Sequence, residues 1–435
     1  MILSWGRAHR GEHEAHLPSY LDQVELAPLA AASPNRRILA HGLGRSYGDS
    51  PLNEGGALII TARLDRVLAV DWASGWIRAE SGLTLDQLMR LAVPHGWFPP
   101  VTPGTKFVTL GGAVANDVHG KDHHIAGSFG AHVLAIGLRR SDGQDLRLAR
   151  DENPELFALT IGGLGLTGFI TWVEFRMTAI PSAEMVVERF RVPGIESFFE
   201  LSEESAEWPY AVAWVDCFPP KRSLGRGIFM RARFAEGAVR APHRERRIPW
   251  PCETPSILLN RVTIGAFNRL YYSLSRTGMQ SGAHYDSYFF PLDAIMNWNK
   301  LYGARGFFQH QSMIPPETGR RGVTKLLEVI RESGQGSFLA VMKTHGHERS
   351  PGRLTFGGPG VSLALDFANK GAGTLALLER LDAIVRDHGG RLYPAKDGRM
   401  SGEFFRESYR AWEDLEAVRD PVFSSSFWRR VTGIS

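Results

Sequence analysis

Two glycine-rich turns, HGLGRSYGDS at residues 41–50 and TLGGAVANDVHGKDHH at 109–124, constrain this chain more than any other feature. Each runs from glycine into polar and basic side chains, as a backbone cradle for phosphate would. A dinucleotide fingerprint needs a helix straight after its glycines, with the pyrophosphate on the helix N-terminus. Here Gly42-Leu43-Gly44-Arg45-Ser46-Tyr47-Gly48 runs into Asp-Ser-Pro-Leu-Asn-Glu-Gly-Gly and then the strand-like ALIIT. No Gly-Lys-Ser/Thr follows, so a Walker loop is excluded as well. Alone, the first loop reads equally well as a turn. In the second, Pro103-Gly104-Thr105 leads to Thr109-Leu110-Gly111-Gly112-Ala113, and Val114-Ala115-Asn116 can open a short helix whose N–H groups suit phosphate.

A chain of 435 residues is expected to hold two domains. Its 47 glycines cluster instead of repeating, which marks sharp turns or close approach to a ligand. The net charge is +4, but 46 acidic residues nearly balance 50 basic ones. Nucleic acid is therefore not expected as a partner, while an anionic substrate and an anionic membrane surface fit equally. Cys217 and Cys252 alone make no disulfide framework and no metal-type spacing. MILSWGRAHRGEHEAHL lacks the apolar core of a signal peptide, and no run reaches the roughly eighteen apolar residues of a membrane span. The expectation is a cytoplasmic protein, with loose peripheral membrane attachment left open.

The spacing predicts strands over 57–61, 66–72 and 76–82. A helix follows in LTLDQLMRLAVPHG, where Thr84 and Gln87 have capping-box spacing and Leu85, Leu88, Met89 and Ala92 share a face. Pro94 and Gly96 end it. A hairpin is expected to turn at Asp142-Gly143, and GFITWVEFRM (168–177) reads as a further strand. From about 183, strand-like FFQHQSMIP, SFLAVMKTHG and GVSLALDFAN alternate with helix-like VTKLLEVIRES and TLALLERLDAIVRDHGG, the last capped by Gly389. That pattern predicts an antiparallel sheet with helices on one side. RAPHRERR (240–247) reads as a solvated basic loop. Residues 258–280 mix large apolar groups with Arg261, Arg269 and Arg276, and read either as an interfacial surface or as a helix packed on the core.

Two backbone cradles without a βαβ fingerprint, together with GGLGLTG at 162–168, resemble the vanillyl-alcohol-oxidase or PCMH-type flavoproteins. RILAHGLGRSYGDS, PGTKFVTLGGAVANDVHGKDHHIAGSFGAHV, GFFQHQSMIP and GGRLYPAKD narrow the resemblance to the decaprenylphosphoryl-β-D-ribose 2′-oxidase family. The similarity runs from Trp5-Gly6-Arg7 to Asp420-Pro421, Phe423 and Ser425. It implies an α+β fold: a two-part FAD-binding domain at 1–182 and 391–435, interrupted by an α+β substrate-binding domain at 183–390. It also implies FAD-dependent oxidation of the 2′-hydroxyl of a polyprenyl-phosphoryl-β-D-ribose by hydride transfer to flavin N5. That is the first half of a 2′-epimerisation to the arabinose form. No second nucleotide fingerprint is present, so a separate NAD(P)H-dependent short-chain reductase would complete it.

The resemblance assigns residues too. Flavin contacts carry over to Gly42, Leu43, Gly44, Arg45, Ser46 and Tyr47, to Pro103, Gly104, Thr105, Thr109, Gly111 and Gly112, and to Asn116, His119, Lys121 and Lys396. Many relatives bond a first-loop His to the flavin; Gly44-Arg45-Ser46 stands here instead, so the FAD is expected to be non-covalent. Lys396, in Tyr393-Pro394-Ala395-Lys396, matches a lysine near flavin and substrate, where a cation would stabilise the reduced flavin. The hydroxyl proton needs an acceptor, and Tyr47, His119, Lys121 and Lys396 all remain candidates. Gln309, Gln311, Lys343, Tyr393 and Lys396 match the sugar-phosphate pocket. Gln309 and Gln311 alternate on a strand and share a face, and Lys343 suits a phosphate. No metal is expected, because His119, His123 and His124 lack an acidic or Cys partner at ligand spacing. Ala364 stands where members of the family carry a pocket cysteine, a thiol that hydride chemistry does not need.

An oxidase of a free alditol or aldonolactone is the alternative. Aldonolactone oxidases usually carry His-Trp-x-Lys near the C-terminus, where this chain has Phe427-Trp428-Arg429-Arg430. A non-catalytic lipid-phosphate carrier would predict broken glycine loops and no Lys396, and both loops and the lysine are present.

Overall fold

Short apolar runs in the first part of the chain pair into two small sheets in the computed structural model, which describes residues 1–237, 240–241, 247–255, 258–347 and 349–434. Glu14–His16, Ala57–Ile60 and Ile38–His41 form a parallel three-stranded sheet. Asp145–Ala149, Val133–Arg139, Phe169–Arg176, Trp76–Glu80 and Val67–Asp71 form an antiparallel five-stranded sheet, in that order. The helix expected between them is Leu85–Ala92. Gln87 N donates to Thr84 Oγ1 at 3.1 Å, and Thr84 N donates to the Gln87 side chain at 2.9 Å. The hairpin turns at Gly143, whose φ of +88° only glycine adopts freely.

The rest of the chain builds an eight-stranded sheet. Its order is Gly278–His284, Glu184–Val192, Gly227–Phe234, Tyr210–Val215, Ala340–His345, Gly360–Ala368, Phe307–Ile314 and Arg391–Leu392, antiparallel throughout. Period-two alternation gives the strands of its C-terminal half two unlike faces. On one, Ala340, Met342, Leu363 and Leu365 pack with Val323, Leu326, Leu377 and Leu381 from the helices Pro316–Ser333 and Ala372–Asp387. On the other, Gln309, Gln311, Lys343, Ala364 and Asp366 look into a cavity. The first of these helices begins at Pro316, well before the apolar run that announced it. Gly319 and Gly322 sit in its early turns because a Cβ there would lie 2.8 Å from Val361 Cγ1 and 2.7 Å from Ile314 Cδ1.

Of the basic run 240–247, residues 242–246 lie outside the described residues. Residues 258–280 contain the helix Arg261–Leu274, capped by Asn260 Oδ1, which accepts from Val262 N and Thr263 N. Only Ile264 and Asn268 of this helix are buried. Apart from Ile264, its apolar side chains stay out of the core.

The short strand Arg391–Leu392 pairs with Ser312 and Met313 and carries the chain back to the first glycine loop. There Tyr47 N donates to Ala395 O at 2.9 Å. Ile38 N likewise donates to Val422 O at 2.8 Å, and Arg430 of the helix Ser426–Thr432 pairs with Asp49 at 2.8 Å and Asp397 at 3.0 Å. Gly48 is so close to the returning chain that a Cβ would lie 1.6 Å from Asp397 O. No rotamer relieves an overlap with backbone, so Gly48→Ala is expected to cost about 3 kcal/mol, the upper end of overpacking penalties. A fall in the midpoint of urea unfolding checks this; an unchanged midpoint would mean the C-terminal return is not held here.

Candidate active site

The two glycine loops meet because side chains are missing between them. A Cβ on Gly42 would lie 2.5 Å from Thr109 Oγ1, and one on Gly111 would lie 2.9 Å from Ser81 Cβ. Thr109 Oγ1 accepts from Gly112 N at 3.2 Å and caps the short helix Leu110–Ala115. The backbone N–H groups of Leu43, Gly44, Arg45 and Ser46 make no main-chain hydrogen bond among the described residues. All four residues line a deep cavity that also takes in the C-terminal return and the polar face of the large sheet. A run of unspent main-chain donors beside glycines is what a phosphate-bearing group requires. Arg45 stands among them, its guanidinium 4.0 Å over the Trp5 ring, and burial lowers its pKa against the pull of Asp293.

The sheet supplies the opposite wall. Gln309 Nε2 donates to Asp366 Oδ1 at 2.6 Å and Tyr302 OH donates to Oδ2 at 3.2 Å. Burial nevertheless pushes the Asp366 carboxyl up to about 7. Lys396 Nζ sits 3.8 Å from the centroid of the Tyr47 ring. Burial pulls this amine down to about 7, with Asp366 opposing and Lys343 reinforcing the shift. Lys343, pulled down to about 8 by burial against the charge of Asp122, donates to Gly120 O at 3.1 Å. The Gln311 amide donates to His119 Nε2 at 2.8 Å, while burial and the charge of Lys343 hold this imidazole well below its ordinary range. Burial raises the Tyr47 phenol well above its usual value. Tyr393 ties the walls together: its N–H donates to Gln311 O at 3.0 Å and its hydroxyl to Asn116 O at 2.9 Å.

Every residue expected at the flavin or the sugar borders this cavity except Lys121. Lys121 O accepts from Ala211 N at 2.9 Å, which stitches the segment to the neighbouring strand. Its side chain turns to the Tyr288 carbonyl and lies 4.2 Å over the Tyr288 ring, and the charge of Lys343 adds to the burial that lowers its amine to about 7. Ala364 lies between Gln311 and Val341 in the register of the sheet and lines the cavity, as the alignment of motifs implied. The His123 and His345 rings pack at a 40° tilt with centroids 4.3 Å apart beside His119, but no three His, Cys, Asp or Glu among the described residues are arranged to hold a metal ion. Sequence reasoning missed Asp366, Trp5 and Trp298, all of which line the cavity. Asp366 could have been found, since it lies two positions from Ala364 on one strand and so shares its face. Trp298 follows Asn297, held at φ +55°, and no local pattern places it.

Residues 16–149 match the FAD binding domain family. The chain is 34% identical to decaprenylphosphoryl-β-D-ribose oxidase of Mycolicibacterium smegmatis, over 99% of its own length and 97% of the relative's. It is 29% identical to an uncharacterized protein of Streptomyces coelicolor, over 80% of its length and 100% of the relative's. With L-gulonolactone oxidase of Scyliorhinus torazame it shares 25% identity, over 43% of this chain and 42% of that one.

Gly42→Val would drive a branched side chain into Thr109 and part the two loops. The purified variant is expected to keep its far-ultraviolet circular dichroism and to lose visible flavin absorbance. Full flavin content would mean the cofactor does not depend on this contact.

Proposed function

We propose that this chain, which belongs to the decaprenylphosphoryl-β-D-ribose oxidase family and is an FAD-dependent oxidoreductase of α+β fold, oxidises the 2′-hydroxyl of a polyprenyl-phosphoryl-β-D-ribose to the ketone. The observation that carries this is the meeting, on one cavity, of the glycine loops with half-buried Lys343, Lys396 and Gln309 and buried Asp366 and Gln311. Bound FAD supplies the hydride acceptor. Gly42 to Ser46, with Gly111 and Gly112, are the residues that would hold its phosphates and let it approach the backbone.

Lys343 is the phosphate partner. It spends one proton on the Gly120 carbonyl and keeps two for phosphodiester oxygens. Asp366 and His119 fix the amides of Gln309 and Gln311, so that the remaining amide atoms can meet sugar hydroxyls without a cost in rotamer freedom. Of the four candidate proton acceptors, Lys121 is outside the cavity, and the Tyr47 phenol is too weak an acid to stand ionised. His119 Nε2 already accepts from Gln311. Lys396 remains. Its buried amine is neutral in a large fraction of molecules near pH 7 and takes the hydroxyl proton as the hydride leaves C2′. The O–H and C–H electron pairs end as the C=O bond and the departing hydride, and the new ammonium offsets the charge that the hydride carries away.

The keto sugar must then be reduced by another chain, an NAD(P)H-dependent reductase of the short-chain type. A lipid-linked substrate also calls for peripheral contact with a membrane. No helix among the described residues is long and apolar enough to cross one.

Anaerobic flavin absorbance tests the substrate. A short-chain polyprenyl-phosphoryl ribose is expected to bleach it, and free alditols and aldonolactones are not; the reverse result would assign the free-polyol oxidation instead. For the proton step, the flavin-reduction rate should rise with pH through about 7, because the lowered pKa of Lys396 makes the amine neutral above that value. Lys396→Met should flatten this profile and slow reduction by roughly 100-fold or more, while Lys121→Met leaves both unchanged. A flat profile in the parent enzyme would remove Lys396 from the step.

A further inference from the structure

The helix Arg261–Leu274 buries only two side chains, Ile264 and Asn268, and Asn268 Nδ2 donates to Asp216 Oδ1 at 3.1 Å and to Ser337 O at 3.3 Å. Its outward side is apolar. Val262 is 79% exposed, Phe267 48%, Leu270 57%, Tyr271 39% and Leu274 70%. The spacing of Phe267, Leu270, Tyr271 and Leu274 places them in one stripe. Leu258 before the helix and Met279 on the edge strand after it are exposed as well. Apolar surface gathered in this way marks a face that something covers.

Charge selects what covers it. Between Glu253 and Asp286 the chain carries Arg261, Arg269 and Arg276 and no acidic residue. All three arginines are exposed. An apolar stripe beside cations, with no carboxylate to compensate them, suits the headgroup layer of an anionic bilayer, where the stripe enters the acyl boundary and the guanidinium groups meet lipid phosphates. A second copy of the chain would bring the same uncompensated arginines and repel.

The position of the helix is informative too. Phe267 packs edge-on against Phe338, with ring centroids 5.9 Å apart, and the next residue, Leu339, lines the cavity. Phe338 in turn stacks on Tyr302, which donates to Asp366. A single ring therefore separates the exposed stripe from residues of the cavity wall.

We propose that the helix Arg261–Leu274 docks the protein on an anionic phospholipid surface and brings the cavity wall within one side-chain layer of the bilayer. The identity of the substrate rests on the oxidation proposed above; the docking surface does not. The test is flotation of the full FAD-loaded chain with vesicles of equal phosphatidylglycerol and phosphatidylcholine, and with phosphatidylcholine alone. The protein is expected to float with the anionic vesicles, less so as salt rises, and poorly with the neutral ones. Leu270→Asp with Leu274→Asp should cut binding by about tenfold or more at unchanged flavin content. The triple replacement Arg261→Ala, Arg269→Ala and Arg276→Ala should abolish the preference for anionic vesicles, and it serves also if the aspartate pair misfolds. Absence of binding by the parent chain overturns the proposal, as does undiminished binding by the variants. So does a parent dimer that the aspartate pair renders monomeric without any vesicle binding, which would give the face to a second copy. No sugar is present in this assay, so its failure leaves the oxidation standing. Failure of the bleaching test likewise leaves the docking surface standing.

Discussion

The cavity depends on main chain meeting main chain. Tyr47 N bonds Ala395 O, Trp5 N bonds Ser46 O, and Phe307 N bonds Gly6 O, so four segments far apart in sequence become one hydrogen-bonded unit. Gly48 and Gly306 permit this: a Cβ on the first would overlap Asp397 O at 1.6 Å, and one on the second would overlap Gly6 O at 2.3 Å. Side chains could not substitute for these contacts, because none would leave room for the backbones to touch. The same closure frees Leu43 to Ser46 for a ligand. With the loop pinned at Tyr47 and against Thr109, its intervening N–H groups cannot fold back to find protein acceptors.

The eight-stranded sheet couples stability to chemistry through its two faces. Burying Lys343, Lys396 and Asp366 is unfavourable by several kcal/mol for each charged form, which is why all three are pushed toward their neutral states. The opposite face offsets this with close-packed leucine and valine from two long helices, each fully buried side chain contributing about 1.5–3 kcal/mol. Alternation is therefore a division of labour within single strands: Leu363 and Leu365 hold the sheet to its helices, while Ala364 and Asp366 face the reacting centre. A one-residue slip of register would exchange the two sets.

Local rules carried the reading of sequence where the determinants are local. The capping box at Thr84, the Asp-Gly hairpin and the shared face of Gln309 and Gln311 all depend on neighbours within a few positions. The glycine loops were legible because a missing helix is itself a local observation. Lys121 was expected at the flavin through the resemblance alone; its side chain meets Tyr288, which no spacing connects to it. The start of the helix Pro316–Ser333 was hidden for a related reason: Gly319 and Gly322 resemble loop residues until the sheet they press against is known. For the helix Arg261–Leu274 composition announced both apolar groups and arginines, but only the anchor at Asn268 shows which side faces out.

The two cavity lysines are alike in burial and unlike in company, a difference that bears on the roles proposed for them. Burial lowers both amines; Asp122 opposes this at Lys343, which also donates to the Gly120 carbonyl, and Asp366 opposes it at Lys396. Each carboxyl is itself raised to about 7, Asp122 for Lys343 and Asp366 for Lys396, so each compensates its lysine only in part, and the charge on Lys343 bears on Lys396 as well. Two ammonium groups lining one cavity repel, and each favours loss of the other's proton. In the reaction proposed above Lys343 is the cation for phosphate, and its charge helps keep Lys396 an amine able to take a proton. Environments that drive two like groups apart separate binding from acid–base work within one site. Here the separation follows from where the chain carries each lysine: Lys343 lies on the strand Ala340–His345 within the sheet, and Lys396 in the turn after Arg391–Leu392, on the return that closes against Tyr47.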